Sequence, residues 1–193
     1  MLAVEAREIT GTLSNPSKMP SRGTSIPPKY CGVGSRLREI PGSVCEDCYA
    51  CKGRYLMPNV QDSMDKRYQG LRHPKWVEAM VKLISGLREP YFRWFDAGDL
   101  QGIWHLANIV EVAVTTPHIS YWLPTKQWGY IVQYVRDGGV VPENLTIRLS
   151  GYFVDGDAPA HLGFPTSTVH KDGPPKGLEC PAIYQDGECK DCR

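Results

Sequence analysis

The cysteines of this chain are the residues whose spacing most directly indicates a chemistry. All seven lie in two end regions of the sequence, at Cys31, Cys45, Cys48, Cys51, Cys180, Cys189 and Cys192. A Cys-x-x-Cys turn places two thiolates close enough to share one metal ion or cluster. Such turns occur in both end regions, so the sequence predicts a metal centre that draws ligands from both ends of the chain.

An iron–sulfur cluster is the expected occupant of this centre. The chain has more thiols than one tetrahedral zinc ion needs, and no histidine accompanies its Cys-x-x-Cys turns. Three thiols in quick succession also begin the ligand run of bacterial ferredoxins. Two well-separated Cys-x-x-Cys turns are equally the usual ligand supply of structural zinc. We therefore expect a [4Fe-4S] cluster, with zinc as the alternative metal and ordinary buried thiols as the third interpretation.

The expected ligand pool omits one cysteine. Six thiols divide equally between the two end regions: Cys31, Cys45, Cys48, Cys180, Cys189 and Cys192. Cys51 is the thiol left over. The usual spacing of radical enzymes, Cys-x-x-x-Cys-x-x-Cys, does not occur in the sequence. Radical chemistry would therefore use an unorthodox set such as Cys31, Cys45 and Cys48.

An alternating series of strands and helices must position these thiols. Apolar and aromatic runs predict strands over 91–95, 119–123, 145–150 and 166–170, whereas three- and four-residue periodicity predicts helices over 62–71, 73–88, 103–115 and 129–136. This alternation is typical of βαβ units and a parallel sheet. We expect one α/β domain, a small parallel sheet or partial (βα) barrel. Its cysteine-bearing ends, 1–60 and 171–193, flank a core over 73–170, and residues 1–44 are expected to be irregular.

Polar residues follow the predicted strands, where parallel α/β folds gather their function. The candidate catalytic residues are Asp96, Asp99, Lys126 and Ser150, and the candidate cofactor-binding residues are Gly98, Thr125 and Arg148. Asp99 has an alternative role as the cap of the following helix. Arg148 also has an alternative role, as the salt-bridge partner of Asp96 or Asp99. His170, after the last strand, is a weaker candidate ligand or acid–base group.

Composition excludes several classes of protein. The 193-residue chain has a net charge of +1 and no apolar run long enough to span a membrane. We therefore expect no membrane association and no strong attraction to nucleic acid. Clustered thiols stay reduced in the cytoplasm, which is the expected compartment. The expected partner, besides the metal centre, is an unidentified small molecule.

Several motifs together resemble one protein family, the phage "gene product eighty-eight" proteins. The matching segments are Asn15-Pro16-Ser17-Lys18, Cys45-x-x-Cys48-Tyr49-Ala50 with Lys52-Gly53-Arg54-Tyr55, Asp96-x-Gly98-Asp99, Thr125-Lys126, Ser150-Gly151, and Cys180-Pro181-Ala182 with Cys189-x-x-Cys192-Arg193. The resemblance implies a phage or prophage origin, hence the host cytoplasm, and a cysteine-bound cluster. Cys51 departs from the family pattern. The strand ends also resemble those of radical S-adenosylmethionine enzymes, which implies S-adenosylmethionine as a candidate cofactor.

The sequence thus leads to three hypotheses about function. The first is an iron–sulfur protein with redox or radical chemistry at the strand ends. The second is a structural zinc protein that binds a host or phage partner. The third is a cluster that serves only to hold the fold together.

Overall fold

A five-stranded parallel sheet forms the centre of the molecule, which the computed structural model describes over residues 1–189. The strands are β1 (Gly23–Thr24), β2 (Tyr91–Trp94), β3 (Ser120–Thr125), β4 (Leu145–Val154) and β5 (Thr166–Val169). Each strand pairs only with its neighbours in the sequence, so their order in the sheet is β1-β2-β3-β4-β5. All four pairings are parallel, which brings the carboxyl ends of the strands to one edge of the sheet.

Within the same residues, six α-helices connect or precede these strands. They are α1 (Ala3–Thr10), α2 (Val33–Leu37), α3 (Pro58–Gly70), α4 (Trp76–Ile84), α5 (Ile103–Thr115) and α6 (Trp128–Arg136). Short 3₁₀ turns include Tyr49–Cys51, within the cysteine-rich segment, and Pro181–Tyr184 in the tail. No helix of the described residues combines the length and the apolar character needed to cross a lipid bilayer.

One face of the sheet carries the hydrophobic core. Alternate strand residues point to this face, among them Trp94, Leu123 and Ile147, and all three are at most 2% exposed. They pack in one cluster with apolar residues of α4, α5 and α6. Residues of opposite parity, such as Arg93 and Trp122, are only half-buried. This second side of the sheet, the open face, is therefore only partly covered, although the Arg93 Nε and the Trp122 ring nitrogen are buried.

The predicted fold class is confirmed as a small parallel sheet with alternating helices. Strands β2, β3, β4 and β5 lie within a few residues of the predicted ones, and the four predicted helices are all present. The helix expected over 62–71 begins earlier, at Pro58, because proline suits the first turn of a helix.

The prediction that residues 1–44 are irregular was wrong in part. This segment forms α1, β1 and α2. Helix α1 buries only Ala6 and Thr10, so it has no apolar stripe for a sequence pattern to reveal. Its first turn is instead held by the Glu5 carboxylate, which accepts a hydrogen bond from the Leu2 N–H at 2.7 Å. Strand β1 consists of two residues that pair with Arg93 and Trp94 of β2, a contact that depends on tertiary structure.

Candidate functional site

Asp99 joins the ends of two neighbouring strands at the carboxyl edge. Its carboxylate accepts hydrogen bonds from the Thr125 hydroxyl at 2.6 Å, the Lys126 N–H at 2.9 Å and the Leu100 N–H at 2.8 Å. Burial raises the pKa of Asp99 to about 6, although these hydrogen bonds favour the ionised form. Asp99 does not cap the following helix, whose N-cap residue Gly102 has no side-chain cap. The carboxylate therefore fixes the loop after β3 against the loop after β2.

Asp96 is the centre of a second polar group at the same edge. Its two oxygens accept hydrogen bonds from the Ser14 hydroxyl at 3.1 Å and the Tyr55 hydroxyl at 2.9 Å, and its carbonyl accepts one from the Tyr49 hydroxyl. The preceding residue, Phe95, is buried with φ at +58°, a conformation that is costly for a bulky side chain. Asp96 thus links the N-terminal arm and the cysteine-rich segment to the end of β2.

Three thiols of the N-terminal region lie together beside these aspartates. The Cys31 thiol is close enough to three negatively charged groups for them to raise its pKa: the Asp99 carboxylate and the thiolates of Cys48 and Cys45. Gly34 lies against two of these side chains: a Cβ placed there would be 3.5 Å from the Cys45 sulfur and 3.8 Å from the Cys31 sulfur. The structure thus places Cys31 and Cys45 next to Gly34 at the carboxyl edge, with Cys48 near enough to influence the Cys31 thiol.

These thiols are partly buried and lie near positively charged side chains. Burial and, to a smaller extent, the charge of the Asp99 carboxylate together raise the pKa of the Cys31 thiol to about 12. Burial also raises the pKa of the Cys45 thiol, whereas the charges of Lys126 and Arg38 lower it. A thiolate in this position needs a nearby positive charge, and a metal centre would supply it.

The tail brings one predicted ligand back toward the N-terminal arm. The N–H of Cys189 donates to the Lys18 carbonyl at 3.0 Å, while the Cys180 side chain is exposed. Cys192 lies outside the described residues. Across residues 1–189 no three Cys, His, Asp or Glu side chains are close enough together to form a metal site. The joint ligand set of the two ends therefore stays a prediction.

The other predicted site residues have mainly structural partners. Thr125 bonds Asp99, and Gly98, at φ +87°, packs against the backbone of Ile26. Arg148 donates to the Thr166 carbonyl at 2.8 Å, so the expected salt bridge with an aspartate is not formed. The Ser150 carbonyl accepts a hydrogen bond from the Trp128 ring at 3.1 Å.

His170 takes part in a contact within the tail. Its Nδ1 lies 3.2 Å from the Gly173 carbonyl oxygen, and its Nε2 lies 3.9 Å from the Glu179 carboxylate. A hydrogen-bonding role thus accounts for this residue.

The open face of the sheet and its carboxyl edge carry three cationic side chains, of which Lys126 acts on the Asp99 carboxylate. The Arg93 guanidinium lies 4.5 Å from the centre of the Trp122 ring. Among the residues that the structure describes, neither Arg93, Arg148 nor Lys126 forms a salt bridge within 4.0 Å. This face is therefore suited to a small molecule that carries a negative charge.

Two residues that sequence reasoning missed complete the surroundings of the thiols. Gln127, only 5% exposed, donates from its side chain to the Cys31 carbonyl at 2.7 Å. Gly34 forms a Gly-x-Gly pair with Gly32 and lies beside the sulfur atoms of Cys31 and Cys45. The position of Gln127 directly after Thr125-Lys126 was an available signal for the first residue, whereas the role of Gly34 depends on how α2 packs.

Fold and site together define an α/β protein with an open parallel sheet and a cysteine-rich carboxyl edge. The Gene product 88 family model matches residues 4–193, so the chain belongs to this family. The family resemblance drawn from the sequence is thereby confirmed. No curated protein and no solved structure matches the chain.

Proposed function

We propose that this protein binds a [4Fe-4S] cluster at the carboxyl edge of its sheet and uses it in redox or radical-type chemistry. The observation that carries the proposal is that Cys31 and Cys45 both lie against Gly34, while the Cys48 thiol and the Asp99 carboxylate are close enough to act on the Cys31 thiol. Three thiols there would hold three irons, and a thiol of the tail or a substrate would complete the set. Cys180, Cys189 and Cys192 remain the candidate tail ligands.

The donor chemistry of this group suits a cluster. Thiolates are the ligands that iron–sulfur clusters take, and the three thiols come from two separate segments that fold against each other. A bound cluster supplies one-electron transfer. Residues of the chain would support the cluster. Arg38 and Lys126 would offset the negative charge of the thiolates, and Gln127 would hold the Cys31 backbone in position.

The open face next to the thiols is the proposed place for a substrate. Arg93 and Lys126 would bind an anionic group there, and Trp122 would support a flat one. Asp96 and Asp99 would orient the loops that carry these residues through their hydrogen bonds. S-adenosylmethionine, which has a carboxylate and a planar base, is the candidate molecule that the sequence resemblance suggests.

The decisive experiment is metal and sulfide analysis of the chain purified without oxygen. We expect a brown protein with about four irons and four sulfides per chain, as a cubane requires. Cys45→Ala should lose most of this iron, because one of the three grouped thiolates is gone. Cys51→Ala is the matched control, one turn away in the same segment, and should keep its iron.

Two outcomes would count against this proposal. A colourless protein with one zinc per chain would favour the structural zinc alternative. Equal iron loss in Cys45→Ala and Cys51→Ala would contradict the assigned ligand group. Adding S-adenosylmethionine to the reduced sample tests the narrower claim, because an unchanged electron paramagnetic resonance spectrum would oppose binding at an open iron.

A substitution at Gly34 should separate cluster binding from folding. Gly34 lies inside α2, so Gly34→Ala favours the helix by about 0.5–1 kcal/mol. The new methyl group would lie 3.0 Å from the Cys31 Cβ and within 3.8 Å of two thiol sulfurs, so it would take space that the irons need. We expect the iron content to fall by at least half, while the free energy of unfolding of the metal-free chain changes by less than about 1 kcal/mol.

Gly129→Ala is the control for this substitution. Gly129 also lies inside a helix, α6, and a Cβ there would have no neighbour within 4 Å. This variant should keep its full iron content. Full iron in Gly34→Ala would show that the grouped thiols do not enclose a cluster.

A further inference from the structure

Cys51 is the thiol that the proposed cluster does not use, and the fold places it next to one that the cluster does use. The segment Tyr49–Cys51 is a single 3₁₀ turn with Cys48 as its N-cap residue, and the Cys51 N–H donates to the Cys48 carbonyl at 3.0 Å. Cys48 starts this turn and Cys51 ends it, so the hydrogen bond that closes the turn brings the two residues together.

The geometry of the turn is compatible with a disulfide. The hydrogen bond from the Cys51 N–H to the Cys48 carbonyl closes a four-residue turn, and the first and last Cα atoms of such a turn lie less than about 7 Å apart, close to the range that disulfides span. Burial and the neighbouring Cys48 thiol raise the pKa of the Cys51 thiol, so the two thiols lie close to each other. Both side chains are partly exposed, which gives a small oxidant access to them.

We propose that Cys48 and Cys51 form a thiol–disulfide site that reacts with small disulfides of the glutathione type. One thiolate attacks the external disulfide, which releases one glutathione thiol and leaves a mixed disulfide on the protein. The second thiolate then attacks the mixed disulfide, releases the second glutathione thiol and closes the Cys48–Cys51 bond. In total, two protein thiols are oxidised and one external disulfide is reduced to two thiols.

The same bond has a consequence for the metal centre. Cys48 belongs both to the thiol pair and to the group with Cys31 and Cys45. Closing the disulfide removes Cys48 from that group. This consequence rests on the proposed cluster, whereas the disulfide itself does not.

Mass spectrometry of the full chain tests the proposal. The protein, purified without oxygen and studied both as isolated and after iron removal by a chelator, is incubated with glutathione disulfide. We expect the iron-free chain to lose two hydrogens, and fragmentation to assign the new bond to Cys48 and Cys51. Tryptophan fluorescence checks that the iron-free chain keeps its fold.

Two variants decide which thiols react. Cys45→Ser should still form the bond, whereas Cys51→Ser should not and should carry one glutathione adduct at Cys48 instead. The reverse pattern would mean that Cys45 and Cys48 pair, and it would overturn the proposal. So would the absence of a Cys48–Cys51 bond in both the isolated and the iron-free wild-type chain.

The effect of the disulfide on metal binding is measured separately, by iron content. Oxidised wild-type chain should take up less than half of the iron bound by reduced chain, and dithiothreitol should restore the uptake. A Cys48–Cys51 disulfide in a protein that never binds iron would support the proposed thiol pair and contradict the proposed cluster. A disulfide that leaves iron uptake unchanged would show that Cys48 is not a ligand.

Discussion

Gly98→Ala is expected to destabilise the protein by about 4 kcal/mol, the scale of severe overpacking added to backbone strain. Gly98 has φ at +87°, which costs an alanine about 1–2 kcal/mol. An added Cβ would also overlap the Ile26 side chain and lie 2.8 Å from the Ile26 carbonyl oxygen. Ile26 cannot move aside, because it is 1% exposed and its N–H donates to the Ala97 carbonyl at 3.0 Å. Urea unfolding measures the effect.

Gly138→Ala separates the overlap from the backbone strain. Gly138 has φ at +89°, almost the same value, and a Cβ there would have no neighbour within 4 Å. This variant should lose only about 1–2 kcal/mol. In an Ile26→Ala background, Gly98→Ala should cost less than it does in the wild type, because the overlapped side chain is already gone. Equal losses in the two glycine variants would contradict the proposed overlap.

His105 is expected to make the fold sensitive to acid. The ring lies in the core, 1% exposed, stacked on Trp104 and meeting the edges of Trp76 and Phe95. Burial lowers its pKa to about 3. Below the pKa of an unfolded histidine, about 6.5, the unfolded chain therefore binds a proton that the folded chain does not. Stability from this group is present at neutral pH and is lost as the pH falls toward 3.

His105→Phe should remove this loss and keep the aromatic packing. We expect the free energy of unfolding of the wild type, relative to that of the variant, to fall by about 2 kcal/mol between pH 7 and pH 5. Urea titrations at the two pH values measure it. His118→Phe changes an exposed histidine and should give the same difference from wild type at both values. Parallel curves for wild type and His105→Phe would show that the buried ring is charged in the folded state.

The sheet and its helices were predictable because their signals are local. Aromatic and β-branched runs indicated β2, β3 and β4, and the periodicity of Trp76, Met80 and Ile84 indicated α4. The rule that polar residues gather at the carboxyl ends of parallel strands brought Asp96 and Asp99 into the site before their contacts were known. These features follow from hydrophobic periodicity and chain direction alone.

The remaining features depend on contacts between distant segments. Nothing near Gly34 in the sequence indicates that α2 packs against Cys45. The position of Gln127 after Thr125-Lys126 indicates a place at the carboxyl edge but not its hydrogen bond to Cys31. Arg148 bonds a carbonyl of β5 rather than an aspartate, because its neighbour in the sheet decides which way it turns. Such details need the packed structure, since residue type and spacing do not specify them.

The order of the strands also bears on synthesis at the ribosome. Because β2, β3, β4 and β5 each pair with the strand made just before, the sheet can grow one strand at a time as the chain emerges. Cys31, Cys45 and Cys48 leave the ribosome before any of these strands, and Cys189 leaves after all of them. The early thiols can thus settle on a growing scaffold, whereas Cys189 is made after all the strands of the sheet. Delivery of the proposed cluster is therefore expected to follow the synthesis of β5.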